Sequence, residues 1–233
     1  MKDSTNDLRW LSDIPNAKAL LVVAHSDDET IFAGGLILTS RNTQWTVVCC
    51  FPESSERRDE FRRACGFLAK ESGNRIRPIV LTCGQKTEQE LGRMIRERVC
   101  AKDYDIVFTH NSEGEYQGKY IDALTRADKQ PHFKVHRSVI NFVAHPNTWL
   151  FISPGSCNVD QDKLKSKRHG GNQPVPLSPE IQKLKIRAFQ ECHVSQARCY
   201  GYDPVSGKLR ESQLRDTLLW EFEEGREEFT FFK

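Results

Sequence analysis

The segment LLVVAHSDDETIFAGG, residues 20–35, indicates the fold and contains a histidine followed closely by three acids. Its first five residues are apolar or small, which is the pattern of a strand buried on both faces. A histidine and three consecutive acids follow, and apolar residues then return at a spacing typical of a helix. A buried strand that leads through a polar loop into a helix indicates the first half of a βαβ unit.

The first half of the chain repeats this alternation of short apolar runs and amphipathic stretches. The pattern predicts an α/β fold, a Rossmann-like three-layer sandwich with a mostly parallel sheet. Gly34 and Gly35 fall inside the first predicted helix and indicate close packing there, and Thr87 and Glu90 have the spacing of a capping box. The predicted strands are 19–23, 46–50, 76–81, 105–109 and 148–152, and the predicted helices are 30–40, 56–70, 87–102 and a segment from 178 to about 195.

The second half is less regular. After Phe151, a segment with a basic cluster between residues 163 and 171 has neither helix nor strand period, which predicts an exposed, mobile loop. The C-terminal stretch LLWEFEEGREEFTFF, residues 218–232, is apolar enough to pack back on the core. The eight cysteines are scattered without a Cys-x-x-Cys pair, so we expect free thiols and no cysteine-based zinc site.

Composition excludes several classes of function. The 233 residues include 34 Lys and Arg against 32 Asp and Glu, and a net charge of +2 disfavours a purely electrostatic partner such as nucleic acid. No apolar run approaches the roughly 18 residues of a membrane span, and the N-terminus lacks the layout of a secretory signal. We therefore expect one soluble, cytoplasmic domain over residues 1–233, with the oligomeric state open and a homo-oligomer allowed.

The cluster after the first strand has the donors of a metal site. In open parallel sheets ligands bind beyond the carboxyl ends of the strands, which is where His25 and the acids after it lie. Imidazole and carboxylate together suit zinc, although other first-row divalent ions accept the same donors. The alternative is an ordinary helix N-terminus, where acids are favourable. It accounts for one carboxylate more easily than for three that repel each other.

The same stretch resembles the Ala-His-Pro-Asp-Asp-Glu signature of the PIG-L/LmbE family of zinc-dependent N-acetyl sugar de-N-acetylases, with Ser26 in place of proline. The resemblance implies that His25 and Asp28 bind zinc and that Asp27 acts as the general base.

Two further stretches extend the resemblance. Arg57 and Glu60 resemble the family's Arg-x-x-Glu helix, in which the arginine lies near the sugar; the alternative is a weak ion pair on an exposed helix face. Residues 109–116, THNSEGEY, resemble the family's stretch that ends in Gly-x-Tyr. By this match Tyr116 polarises the substrate carbonyl, unless it is only a buried aromatic residue. Asn111 and His110 are expected to bind sugar hydroxyls.

The third metal ligand is ambiguous, because the family's Gly-His-Pro-x-His motif is absent and residues 119–130 intervene as an extra loop. His132 and His136 follow, and their spacing of four places them on one helix face. We favour His132 as the ligand and His136 as the catalytic residue that protonates the leaving amine. The reverse assignment stays open, although the family's pair is normally spaced by three.

The late segment KIRAFQECHVSQ, residues 185–196, resembles a helix of the family with Lys, His and Ser-Gln. The resemblance makes His193 a pocket residue that binds substrate or supports those that do, and a structural histidine near a helix end is the alternative.

These features together predict a metal-dependent hydrolase that removes the N-acetyl group from an N-acetylglucosamine-type sugar conjugate, a small-molecule substrate. The alternative is a non-catalytic relative that binds a sugar or a metal. A nucleotide-binding domain fits less well, because no Gly-x-Gly-x-x-Gly follows the first strand and the acids would repel a phosphate.

Overall fold

The computed structural model describes residues 10–111, 131–152, 172–199, 202–203, 208–209 and 226–232. A seven-stranded sheet with helices on both faces forms its centre. The strands are β1 (Lys18–Val23), β2 (Gln44–Cys49), β3 (Arg75–Val80), β4 (Ile106–Thr109), β5 (Thr148–Ile152), β6 (Asn172–Pro176), β7 (Tyr202–Asp203), β8 (Lys208–Leu209) and β9 (Arg226–Phe231). The α-helices are α1 (Asp28–Thr39), α2 (Ser55–Ser72), α3 (Glu88–Arg98), α4 (Pro131–Ser138), α5 (Pro179–Cys192) and α6 (Val194–Cys199).

The strand order in the main sheet is β3-β2-β1-β4-β5-β9-β6, and β7 and β8 pair separately. The first five strands of this order are parallel, whereas β9 is antiparallel to both β5 and β6. The chain runs outward from β1 through β2 to β3 and then returns to β4 on the other side of β1. The carboxyl ends of β1 and β4 therefore form a switch point, which is the usual ligand site of such sheets.

The core has two layers, one on each face of the sheet. Alternate β1 residues point to opposite faces: Leu21 belongs to the cluster that includes residues of α1, α2 and α5, and Leu20 belongs to the cluster that includes residues of α3 and α4. The predicted α/β fold with a mostly parallel sheet is confirmed.

The predicted elements differ from the observed ones mainly in the second half. All five predicted strands form, and Thr87 and Glu90 make the predicted capping box at the start of α3. The predicted late helix ends earlier, because His193 separates α5 from α6. Strand β6 was not predicted, and the expected docking of the C-terminal stretch takes the form of strand β9. The basic cluster of residues 163–168 lies outside the described residues.

A buried ion pair attaches β9 to the helices. Glu227 of β9 accepts hydrogen bonds from the backbone amides of Gly35 and Leu36, at 2.8 and 2.7 Å, and lies 2.7 Å from Lys185 Nζ of α5. Gly35 lets this carboxylate approach the helix: a Cβ there would lie 2.7 Å from Leu177 Cδ1 and 3.0 Å from Glu227 Cδ. Close packing was predicted at Gly34 and Gly35, and at Gly35 the groups that pack closely are Leu177 and Glu227.

The cysteines whose side chains are described are free thiols, as predicted. Burial raises the pKa of Cys83 and Cys192 to about 11, and it also raises the pKa of the fully buried Cys49 well above its usual value. The described helices include none that is long and apolar enough to cross a membrane.

We expect Gly35→Ala to destabilise the fold by about 1–3 kcal/mol, because the added methyl group forces Leu177 and Glu227 away from α1. Gly34→Ala is the matched control, since its Cβ would make only van der Waals contact with the Lys185 side chain, at 3.4 Å or more. The control should stay within about 1 kcal/mol of wild type, because alanine also favours the helix. Urea unfolding of both variants measures the difference, and equal stabilities would contradict the packing argument.

Candidate active site

The candidate site lies at the switch point, where polar residues follow β1 and β4. Residues 24–27 connect β1 to α1, and Asp27 is the residue that precedes the first turn of that helix. His110 follows β4 directly, and α4 supplies His132 and His136. Val22 and Thr109 are paired partners in neighbouring parallel strands, so the segments after them leave the sheet side by side.

Three of the predicted residues form a cluster with the donors of a metal site. The ligand atoms of His25, Asp28 and His132 all lie within 4.8 Å of one another. His25 Nδ1 is 2.9 Å from His132 Nε2, and Asp28 Oδ2 is 3.4 Å from His132 Nε2 and 3.6 Å from His25 Nδ1. Asp28 and His132 are buried, whereas the His25 side chain is 24% exposed and forms the solvent side of the cluster.

These distances fit a small divalent ion. Two tetrahedral ligands that each lie about 2.0–2.2 Å from zinc are separated by roughly 3.3–3.6 Å. The two distances from Asp28 are already in that range, and the shorter distance between His25 and His132 needs only a slight separation of the rings. Two imidazoles and one carboxylate supply three ligands, the number that leaves a fourth position open in catalytic zinc sites.

The Asp28 carboxylate is held in its charged form despite its burial. Burial by itself raises the pKa of Asp28, but the interactions with His132 above all, and with His25, outweigh it and hold the pKa well below its usual value. The His25 backbone amide also donates to Oδ2 at 2.7 Å. A deprotonated carboxylate is the form that binds a metal.

Asp27 contacts a different partner, although it precedes Asp28 directly. Its Oδ1 lies 3.1 Å from Arg57 Nη2, and both side chains are almost fully buried. Arg57 also contacts Glu60, at 3.3 Å, and the exposed Glu53, at 3.6 Å. Burial by itself lowers the pKa of Arg57, but these three carboxylates, Asp27 above all, raise it overall.

The alternative of a weak surface pair between Arg57 and Glu60 is wrong, since both residues are buried. Glu60 also links α2 to α6: its Oε1 accepts the Ser195 backbone amide and its Oε2 accepts the Ser195 hydroxyl, both at 2.7 Å. This contact joins residues 135 positions apart, and no sequence pattern indicated it.

His136 lies one helical turn from His132 and has a different environment. Its Nδ1 donates to the His110 carbonyl oxygen at 2.8 Å, which assigns the ring hydrogen of the neutral form to Nδ1. His110 is fully buried, and its ring stacks on that of His132. Asn111 donates to the Phe151 carbonyl at 3.1 Å and is partly exposed.

His193 is buried and contacts two residues at the start of α1. Its Nε2 is 2.9 Å from Glu29 Oε1 and 3.1 Å from Thr30 Oγ1. Glu29 was given no role from the sequence, and burial raises its pKa although His193 opposes this effect. Tyr116, the remaining predicted site residue, lies outside the described residues.

We expect Glu60→Gln to destabilise the protein by about 1–3 kcal/mol, because the amide group that replaces one oxygen faces buried donors from Arg57 or Ser195. Asp59→Asn is a matched control one position earlier on α2, since Asp59 pairs with Arg62 in an exposed contact. It should change stability by less than about 0.5 kcal/mol. Chemical denaturation compares the two, and a neutral Glu60→Gln would argue against the link.

The comparisons with known proteins support the fold. No family model and no curated protein sequence matches the chain. The zinc-inhibited form of teicoplanin deacetylase Orf2 is 14% identical over 92% of this chain and 97% of its own, with a TM-score of 0.59. A deacetylase in complex with teicoplanin is 12% identical over 92% and 97%, with a TM-score of 0.56. N,N'-diacetylchitobiose deacetylase from Pyrococcus horikoshii is 17% identical over 93% and 84%, with a TM-score of 0.55. The chain thus has the fold of these deacetylases.

Proposed function

We propose that this chain is a metal-dependent amidohydrolase of the PIG-L/LmbE type, which removes the N-acetyl group from an N-acetylglucosamine-type sugar conjugate. The observation that carries the proposal is the separation of two acids that are adjacent in sequence. Asp28 lies with His25 and His132 in a group of metal donors, whereas Asp27 is held beside that group by Arg57. The shared fold of deacetylases that act on sugar conjugates supports the same reaction.

His25, Asp28 and His132 would hold the metal ion, for which zinc is the best candidate. When bound, such an ion supplies Lewis acidity toward the amide carbonyl and lowers the pKa of water toward about 7. The exposed edge of His25 provides the side from which water and substrate approach.

Asp27 is the proposed general base. The Arg57 contact fixes its carboxylate through Oδ1, and we assign proton removal from the attacking water to Oδ2 of the same group. A base has to be held within reach of the water while it stays outside the ligand set. The buried guanidinium meets this requirement, because it holds the carboxylate of Asp27, which is not one of the three grouped donors.

His136 is the proposed general acid. Its Nδ1–H is engaged by the His110 carbonyl, so Nε2 is the atom that would carry the proton to the leaving amine. The resemblance assigns polarisation of the amide carbonyl to Tyr116.

The predicted substrate contacts divide into two groups by burial. Asn111 is partly exposed at the end of β4, which supports a contact with a sugar hydroxyl. Arg57, His110 and His193 are buried and bound to protein groups. Their surroundings support positioning roles instead of direct sugar binding. Arg57 would orient Asp27, His110 would orient the two histidines of α4, and His193 would hold the start of α1.

The proposal predicts acetate release from a panel of N-acetylglucosamine conjugates, and removal of the metal with a chelator should abolish it. Asp27→Asn should keep the metal content of wild type and lower kcat by about 10²–10⁴-fold, the usual contribution of a general base. Coupled acetate assays and elemental analysis of the same preparations measure both quantities. Unchanged turnover in Asp27→Asn would exclude this residue as the base. Stoichiometric sugar binding without acetate release from any member of the panel would favour the non-catalytic alternative.

The two α4 histidines should respond differently to substitution. His132→Ala removes a donor of the cluster and should lower the zinc content to well below one equivalent, as should His25→Ala. His136→Ala is the matched control on the same helix face; it should retain one equivalent of zinc and lose turnover. Zinc titration against a chromophoric chelator distinguishes these results. Full occupancy in both His132→Ala and His25→Ala would remove the proposed site, and loss of zinc in His136→Ala alone would reverse the assignment.

A further inference from the structure

His110 contacts both histidines of α4, although its own ring is not among the three grouped metal donors. It follows β4 directly, is fully buried, and lies between the end of β1 and helix α4. Three of its contacts, with Ala24, His132 and His136, carry the argument and involve different parts of the residue.

The first contact determines which ring nitrogen of His110 carries the hydrogen. The backbone amide of Ala24 donates to Nε2 at 2.9 Å, and a nitrogen that accepts a hydrogen bond carries no hydrogen itself. The neutral ring therefore has its hydrogen on Nδ1. The same bond engages the Nε2 lone pair, although this atom lies only 3.4 Å from Asp28 Oδ2. The amide thus keeps a fourth protein donor away from the cluster, as an open catalytic site requires.

The second contact holds the plane of the His132 ring. The rings of His110 and His132 stack with centroids 4.2 Å apart and an angle of 10° between their planes. The His110 ring is itself fixed, because Phe32 and Phe151 pack against it nearly at right angles, with centroids 5.9 and 5.2 Å away. Metal-binding histidines usually depend on such neighbours for their orientation.

The third contact is made by the backbone of the same residue. The His110 carbonyl accepts the Nδ1–H of His136 at 2.8 Å. The residue after β4 therefore orients both histidines of α4. It orients His132 through ring stacking and His136 through a hydrogen bond.

We propose that His110 is a positioning residue, which stacks on His132 to orient it toward the metal donors while its carbonyl fixes the tautomer of His136. The catalytic consequence rests on the proposed function, whereas the orientation of the two rings does not. The Ala24 amide anchors His110 itself, so the stacked ring cannot turn to bind in place of His132.

Two substitutions separate the ring from the hydrogen bond. His110→Phe keeps an aromatic ring for His132 but leaves the buried Ala24 amide without its acceptor. His110→Gln places an acceptor near the former Nε2 but removes the ring. Both variants keep the backbone carbonyl that binds His136.

We expect the two variants to rank in opposite orders in two measurements. Zinc affinity, from competition with a chelator, should fall about 10–100-fold in His110→Gln and less than about threefold in His110→Phe. Stability in urea should fall more in His110→Phe, because a buried amide is left unsatisfied. A merely structural role would make zinc affinity follow stability in both variants, and that result would overturn the proposal.

Nitrogen NMR of the histidine rings tests the inference without substrate. The metal-free wild-type protein should show the hydrogen of neutral His110 and of neutral His136 on Nδ1, and the His136 signature should persist in both variants. A hydrogen on Nε2 of His110 in the wild type would overturn the proposal even if neither variant folds.

If zinc binds as expected but no acetate is released, the proposed reaction fails and the positioning role stands. If acetate is released, His110→Gln should lower kcat about 10–100-fold with little change in KM.

Discussion

The burial of three consecutive carboxylates is the constraint on which the rest of the structure depends. Residues 27–29 are all buried at the start of α1, where the helix dipole offsets only part of their charge. An uncompensated buried ion costs several kcal/mol, so each of the three needs a partner. Arg57 contacts the first, His132 and its neighbours contact the second, and His193 contacts the third.

The three partners come from three different parts of the chain. Arg57 belongs to α2, His132 belongs to α4, and His193 lies between α5 and α6. These elements lie on both faces of the sheet, with α2 and α5 in one core layer and α4 in the other, and their three groups converge on the start of α1. The docking of these helices and the assembly of the site are therefore the same event. Because each acid has its own partner, the three have different surroundings. Asp27 pairs with Arg57, Asp28 belongs to the group that could hold a metal ion, and Glu29 contacts His193 in the interior.

The sequence was sufficient where the information is local. The apolar runs predicted all five parallel strands, and the polar residues after β1 marked the site because the carboxyl ends of strands face the ligand region. The link between Glu60 and Ser195 and the contact between Glu29 and His193 join residues 135 and 164 positions apart, so they depend on helix packing that no short pattern records. Strand β6 was missed because two of its five residues are proline, which is typical of edges and loops.

The four-residue spacing of the α4 histidines explains how the chain forms this cluster without a Gly-His-Pro-x-His motif. Two residues four apart on a helix differ by about 40° in direction and about 6 Å in height. His132 and His136 therefore share a face but cannot present their rings at the same point. His132 reaches the donors, and the ring one turn away needs a separate anchor. The His110 carbonyl supplies it. Because that carbonyl belongs to the residue after β4, the anchor does not depend on a Gly-His-Pro-x-His segment.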